Sequence, residues 1–372
     1  MEERVDVSAE LFDVTAEEGP MAKAINGKKG WLVFWVLIIV LSLTVTKASC
    51  AAEMDENLLK QAKQIFGVLP QVISSEANPV TPEKVKLGKI LFYETRVSVD
   101  GTVSCARCHP FGLYAADGLK KSIGNQSKVN PRNAPTLLNT AGQISAHWIG
   151  NRKDVEDQAT QALIGPPSFG MPSYEAAENV LKKIEGYPIL FQVAFPGDKD
   201  PVRAENFGKA IGAFERTLVT PSPLDAFLTG NQEALTEGQK QGLKTFIEIG
   251  CVTCHSGTYV GGQMYQKFGI FEPYWKYTKS ETIDEGRSAA TKQESDKYVF
   301  KVPLLRNVEK TSPYFHDGSV SHIEDAIWIM GKIQLGRDLT TEQKERIHSF
   351  LTSLTGTIPQ EALKVPILPS SK

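Results

Sequence analysis

The amino-acid sequence predicts a mostly α-helical fold with little strand and long irregular loops, and three observations predict it. The periodic segments of the 372 residues carry apolar residues at helical spacing and open on recognisable caps. A Cys-x-x-Cys-His pentapeptide occurs twice, at 105–109 ("CARCH") and 251–255 ("CVTCH"), each led into by such a helix, which suggests an internal duplication. Two long stretches, 112–150 and 256–303, lack clear periodicity. The composition, 41% hydrophobic and 23% charged, is that of an ordinary globular chain, long enough for two domains of typical size.

From the N-terminus, 31–45 ("WLVFWVLIIVLSLTV") is an uncharged apolar run preceded by Lys23, Lys28 and Lys29 and followed by the small residues "ASCAAE". It reads as an export signal. Its 15 residues fall short of the roughly 20 of a spanning helix, which favours cleavage after Ala52 over a retained membrane anchor. Cys50 as a lipidated cysteine is the weaker reading, because Lys47 stands where such a site wants an aliphatic residue. Without residues 1–52 the chain loses five Lys/Arg and seven Asp/Glu, leaving 36 of each; with no basic excess, a nucleic-acid partner is excluded as a class.

The helices follow in order. "TPEKVKLGKILFY" has Thr81 as N-cap, Pro82 at the first helical position, and Leu87, Ile90 and Leu91 on one face. "SYEAAENVLKKIEG" carries Ala177, Val180, Leu181 and Ile184 at helical spacing, and "DPVRAENFGKAIGAFERTL" opens at Asp200 and Pro201. The proline-rich "VTPSPLD" at 219–225 reads as a hinge between halves. "TEGQKQGLKTFIEIG" has a Thr236/Gln239 capping box, Leu243, Phe246 and Ile247 as apolar face, and Gly250 as stop. A last helix starts on Thr340 with Gln343 three residues on, carries Ile347, Phe350, Leu351 and Leu354, and stops near Gly356.

The pentapeptides carry the chemistry. Paired thiols at this spacing suit a redox disulfide, a zinc site of four cysteines, or covalent addition to the vinyl groups of a haem. A histidine directly after the second cysteine selects haem, since a porphyrin fixed over so short a segment brings that side chain to the iron as proximal ligand. The sequence therefore predicts two cytochrome c-like haem domains, over 53–220 and 221–372 behind a leader of 1–52. Cys105, Cys108 and His109 would hold one covalent haem c, and Cys251, Cys254 and His255 the other. Loops without periodicity suit this fold, because the cofactor supplies part of the core. Export together with haem attachment indicates a bacterial periplasmic c-type cytochrome, and no cysteine beyond Cys50 is left for a disulfide.

The ligand on the opposite face of each iron decides between electron transfer and access for a small oxidant. Beyond the leader the candidates are Met54, Met171, Met264 and Met330, and His147, His316, His322 and His348. The blocks "NPRNAPTLLN", "HWIGNRKDVEDQA", "CVTCHSG", "DKYVFKVPLLRNVEKTSPYFHDGSV" and "IMGKIQLG" together resemble the bacterial dihaem cytochrome c peroxidase family, from about residue 55 to 362. The resemblance implies His255 and Met330 on one iron, the electron-accepting C-terminal haem. It also implies a calcium ion between the domains, bound through Asn133 and the backbone carbonyls of Thr311 and Pro313; ligation by oxygen alone suits that ion. Trp148 matches the tryptophan between the haems, a relay for electrons, and Gln158 a distal glutamine. Reduction of hydrogen peroxide to water, a small cytochrome c or copper protein as donor, and a homodimer are the implied activity and partners.

Two departures qualify the resemblance. Relatives carry a histidine in a "SIGH" segment that caps the N-terminal iron at rest; here the segment is "SIGN", with Asn125, so that iron is expected to be open on its distal face. The family's distal glutamate, a proton shuttle, aligns with Gly170 in "PSFGMPS". His147, where relatives usually have phenylalanine, is the replacement: it serves as the acid/base or ligates the N-terminal iron. His316 is read as structural, binding a haem propionate or holding the loop before Met330, and His322 and His348 as solvated helix residues. Two other functions fit these departures: a dihaem electron carrier without peroxide turnover, and an oxidising enzyme acting on a protein partner, similar to the dihaem enzyme that matures methylamine dehydrogenase. Against the second, Met330 stands where that enzyme uses tyrosine.

Overall fold

A computed structural model describes residues 34–38 and 53–370. The apolar run at 31–45, apart from a helical turn at 34–38, and with it Cys50 and the expected cleavage point, lies outside the described residues. The chain divides into two compact units, Met1–Glu56 and Asn57–Lys372. Among the described residues no helix is long and apolar enough to cross a membrane.

The larger unit is helical with very little strand, as expected. Helix α1 lies over 53–65, its residues from 57 on belonging to this unit. Then come α2 (Pro82–Phe92), α3 (Cys105–Cys108), α4 (Val155–Ala162), α5 (Tyr174–Lys183), α6 (Gly186–Ala194), α7 (Ala204–Glu215), α8 (Pro223–Leu228) and α9 (Glu237–Ile249). Short α10 (Trp275–Thr278) and α11 (Ser288–Thr291) precede α12 (Ile323–Leu335), α13 (Thr341–Thr352) and α14 (Gln360–Leu363). Strands β1 (Tyr265–Lys267) and β2 (Val299–Lys301) form one antiparallel pair, with Tyr265 opposite Lys301. The stretch 112–150 contains only single 3-10 turns and isolated bridges, in keeping with its lack of periodicity.

The sequence caps are in place. The Thr81 hydroxyl accepts from the Lys84 N–H at 3.3 Å with Pro82 at the helix start, and Thr236/Gln239 and Thr340/Gln343 both close as capping boxes. Gly250 ends α9 in the left-handed region at φ +99°.

Other boundaries differ. Helix α7 starts at Ala204 rather than at Asp200 and Pro201, because its first N–H is satisfied at a distance: Glu178 of α5 accepts from Ala204 N at 2.8 Å. Helix α13 ends at Thr352, leaving Leu354 buried outside it. Gly356 serves a close approach instead, since a Cβ there would lie 2.1 Å from the Thr220 carbonyl oxygen. The 219–225 segment is largely buried, with Thr220 bonded to Asn139 and Asn307 and with α8 opening on a Ser222/Asp225 capping box. Helix α6 was hidden by Gly186 and Pro188, which sit in its first turn, where a missing N–H costs nothing.

Among the described residues two large apolar clusters, with a small third of Leu69, Ile73 and Val219, form the core. One gathers Leu91, Phe92, Phe111, Phe207, Ile211 and Phe214 from α2, α7 and the segment after α3. The other gathers Leu243, Phe246, Ile327, Ile347 and Phe350 from α9, α12 and α13, with Leu59 and Phe66 from the α1 region. The helix before each pentapeptide packs on a later helix through a glycine: a Cβ on Gly88 would lie 1.9 Å from the Ala210 carbonyl oxygen, and one on Gly242 2.0 Å from that of Arg346. The two halves thus repeat one packing device.

Candidate functional site

Each pentapeptide folds into a single tight turn, α3 in the first case and a 3-10 turn at Cys251–Thr253 in the second. In both, the histidine N–H returns to the carbonyl of the first cysteine at 3.0 Å (His109 to Cys105, His255 to Cys251), which sets the thiols and imidazole on one side of the chain. All four cysteines are unpaired and half-buried, and they open with both histidines onto one continuous cavity of about 670 Å³.

The donor chemistry fits covalent haem. His109 Nδ1 lies 3.0 Å from the Ala115 carbonyl oxygen; donating its proton there leaves Nε2 as the free lone pair. His255 Nδ1 is buried without a hydrogen-bond partner, at the backbone of Gly261, where a Cβ would come within 3.2 Å. Burial pushes both imidazoles down, His255 to about 4, so both are neutral, as an iron ligand must be. Burial likewise pushes the thiols up, Cys251 to about 12. Among the described residues no three His, Cys, Asp or Glu side chains gather as a metal cluster, so the two cysteine pairs do not come together as one four-thiol site in this structure.

His147, Trp148, Gln158, Asn133, Thr311, Pro313 and Met330 line this cavity with the two pentapeptides, whereas the other candidate ligands Met54, Met171, Met264, His322 and His348 do not. Met330 reaches it from α12, a helix the sequence reading had not marked. The Trp148 indole N–H donates to the Asn133 carbonyl oxygen at 2.9 Å, and Asn133 receives its place from the 311–316 loop, through its N–H to the His316 carbonyl oxygen at 2.8 Å. The Asn133 amide nitrogen is committed to the Leu119 carbonyl oxygen at 2.8 Å, leaving Oδ1 as its remaining donor toward a cation, with Thr311 and Pro313 lining the same cavity. His316 packs its buried ring on Phe300, 4.4 Å between centroids, with Asp284 Oδ2 3.9 Å from Nε2. His322 is exposed at the N-cap of α12, but His348 is half-buried and pairs with Glu324 at 2.9 Å, joining α13 to α12.

His147 lines the cavity from a turn closed by the Ala146–Arg152 bridge, with φ +66°. Its Nδ1 is 3.0 Å from Asn151 Oδ1, a partner that can only accept, so the proton sits on Nδ1 and Nε2 carries the lone pair. Burial first, then the nearby Arg152, Lys301 and His109, hold this imidazole down at about 4 against the pull of Asn151. Gln158 of α4 lines the same compartment. Sequence reasoning missed Asn151 and Lys301. Burial lowers the Lys301 ammonium to about 7, and it donates to Gln143 Oε1 at 2.6 Å and the Ser145 carbonyl oxygen at 2.9 Å. Neither carries a motif.

Asn125 and Gly170 stand together away from the lining. The buried Asn125 amide nitrogen donates to the carbonyls of Pro166 (2.6 Å) and Ser168 (2.8 Å), and a Cβ on Gly170, at φ +68°, would lie 2.5 Å from it. The loop 166–169 lines the cavity; these two residues do not.

A helical two-cluster fold around a cavity with two haem-attachment turns defines a dihaem c-type protein, and comparison with known proteins agrees. The di-haem cytochrome c peroxidase family model matches residues 82–233. The chain is 39% identical over 336 residues to the cytochrome c551 peroxidase of Pseudomonas aeruginosa, covering 89% of this chain and 94% of that one. It is 30% identical over 353 residues to the methylamine utilization protein MauG of Methylorubrum extorquens, covering 91% and 98%. Among solved structures, a MauG-like protein associated with microbial copper homeostasis superposes with TM-score 0.71 at 26% identity, over 80% of this chain and 97% of that one. The chain belongs to the di-haem cytochrome c peroxidase family, and it is an oxidoreductase of that type with two haem groups.

Proposed function

We propose that the chain is an exported, periplasmic peroxidase that reduces hydrogen peroxide to water with electrons from a small cytochrome or copper protein. Two haems, held at Cys105, Cys108 and His109 and at Cys251, Cys254 and His255 on either side of about residue 220, would supply the one-electron chemistry. His255 and Met330 offer an imidazole and a thioether to one centre, a pair that favours the reduced state and suits an entry port. Trp148, fixed by Asn133, lines the cavity shared by the two centres and serves as relay.

The observation that carries the reading is the His147–Asn151 pair beside His109. His147 Nε2, free as an acceptor, takes a proton from the bound peroxide and returns it to the departing oxygen; two donor electrons and two further protons complete two waters. Asn125 is turned into the 166–168 backbone, which supports an open distal face on the His109 side. Asn133 Oδ1 and the carbonyls of Thr311 and Pro313 would hold calcium and so fix the Trp148 turn, and a homodimer follows the family resemblance. Chelation should then lower peroxide turnover and restore it on calcium return; turnover indifferent to chelator removes the ion from the scheme.

A second reading is an oxidising enzyme acting on a protein partner, supported by the MauG relative and the MauG-like structure. Spectra of the resting and half-reduced holoprotein before and after peroxide separate the possibilities. High-spin haem with fast turnover supports the peroxidase, a persistent oxidised state without turnover supports the second reading, and fully low-spin iron that ignores peroxide makes the protein an electron carrier.

A further inference from the structure

Two carboxylates line the cavity, Asp154 and Glu215. Asp154 is occupied as the N-cap of α4, accepting from Asp157 N at 2.8 Å. Glu215, the last residue of α7, is 2% exposed, and its Oε2 is buried without a hydrogen-bond partner.

Its neighbours explain why it has no counter-ion. Arg216, next on the chain, is spent on Glu156 of α4 in a two-pronged pair at 2.8 and 3.0 Å, and Asn78 adds a third bond to that carboxylate. Glu156 therefore faces Glu215 as a like charge already satisfied elsewhere. Helix α2 meets this end of α7 through Phe92, whose ring lies 5.5 Å from Phe214, and the 140–142 turn carries no charged residue. From α3, Cys105 feels the Glu215 charge directly. Burial first, then Glu156, pushes the Glu215 carboxyl up to about 8 against the pull of Arg216.

Glu215 thus presents a buried carboxyl with an unpartnered oxygen to the cavity that Cys105 also lines, and no hydrogen bond or ion pair in the structure accounts for it. We propose that Glu215 is a redox-linked proton site of the N-terminal haem compartment. Its carboxylate takes a proton from solvent, forming the O–H bond, as one electron from the donor protein enters the compartment; that bond breaks and the proton leaves when the electron does. The coupling follows from charge: an added electron disfavours a carboxylate beside it, and its removal favours one. The inference rests on haem attachment at Cys105 and Cys108, not on peroxide as oxidant.

The test compares the wild-type holoprotein with Glu215→Gln, which keeps the shape and removes the titration. In wild type the midpoint potential of the N-terminal haem, followed optically, should fall as pH rises from mildly acidic to mildly alkaline, and this dependence should be lost in the variant. The reduced-minus-oxidised infrared spectrum should show a protonated carboxyl in wild type that is missing in Glu215→Gln. An equal pH slope in both proteins, or a wild-type difference spectrum without a protonated carboxyl, overturns the proposal. Should the variant fail to take up both haems, the wild-type spectrum in H2O and D2O decides alone, in the same two directions. Because neither measurement uses peroxide, failure here leaves the peroxidase reading standing, and the reverse holds as well.

Discussion

His147 holds a left-handed backbone with a bulky side chain, a conformation that costs about 1–3 kcal/mol and persists only where the surroundings enforce it. Here the Ala146–Arg152 bridge and the bond to Asn151 enforce it, and His147 lines the cavity from this turn. Replacing His147 by Phe should lower peroxide turnover by about 100- to 10,000-fold, the usual range for a lost general acid/base group. If both the haem spectrum and turnover survive that substitution unchanged, the histidine has no distal role. Gly170 looks from sequence like a simple loss of a glutamate, but the structure shows why the reverse change would not restore one. At φ +68°, with Asn125 2.5 Å from any Cβ, Gly170→Glu should displace Asn125 and destabilise the fold by about 1–3 kcal/mol without raising turnover. Denaturant titration of the holoprotein, read beside activity, checks both halves of that statement.

At the scale of elements, what was legible was local. A threonine followed three residues later by glutamine satisfies two N–H groups within one turn, so the starts of α9 and α13 could be placed from neighbouring residues alone. The start of α7 could not, because its cap is Glu178, 26 residues upstream. Helix α12, which carries Met330, is too apolar and too lacking in caps to announce itself; its N-cap residue His322 makes no side-chain bond. The glycines inside α2 and α9 read as weak points in a helix, and the structure makes them contact points. Gly242→Ala places a methyl group 2.0 Å from the Arg346 carbonyl oxygen and should cost about 1–3 kcal/mol as α9 and α13 are forced apart. A melting temperature equal to wild type would show that the helices can separate freely.

Over the whole molecule, one buried ion pair ties distant segments. Arg306 donates to Asp225 through two nitrogens at 2.7 and 2.9 Å and to the Thr258 carbonyl oxygen at 2.7 Å, while Asp225 also accepts from Leu69 N at 2.9 Å. Burial raises the Asp225 carboxyl, and Arg306 with the Leu69 and Ser222 N–H groups more than offsets this, holding it below the usual carboxylate range. Its contribution to stability is therefore complete above the unfolded value of about 3.9 and is lost as pH falls through the lower folded value. Asp225→Asn leaves the Arg306 charge buried and unpaired, and should cost about 3–5 kcal/mol at neutral pH, with a weaker loss of stability on acidification than in wild type. Chemical denaturation at neutral and acidic pH measures both, and parallel losses in the two proteins would assign the acid sensitivity to other groups.

Five contiguous residues, twice over, were enough to specify haem attachment, because both thiols and the iron ligand must come from a single turn of chain. The helix caps at Thr81, Thr236 and Thr340 were likewise readable from neighbouring residues. The chemistry around the cofactors was not. The pairings of His147 with Asn151, of Asn125 with the 166–168 backbone, and of Lys301 with Gln143, and the isolation of Glu215, depend on which segments the fold brings to the cavity wall. A proton's position is set by desolvation and by the nearest few ångströms of charge, and those are properties of the packed chain rather than of its order.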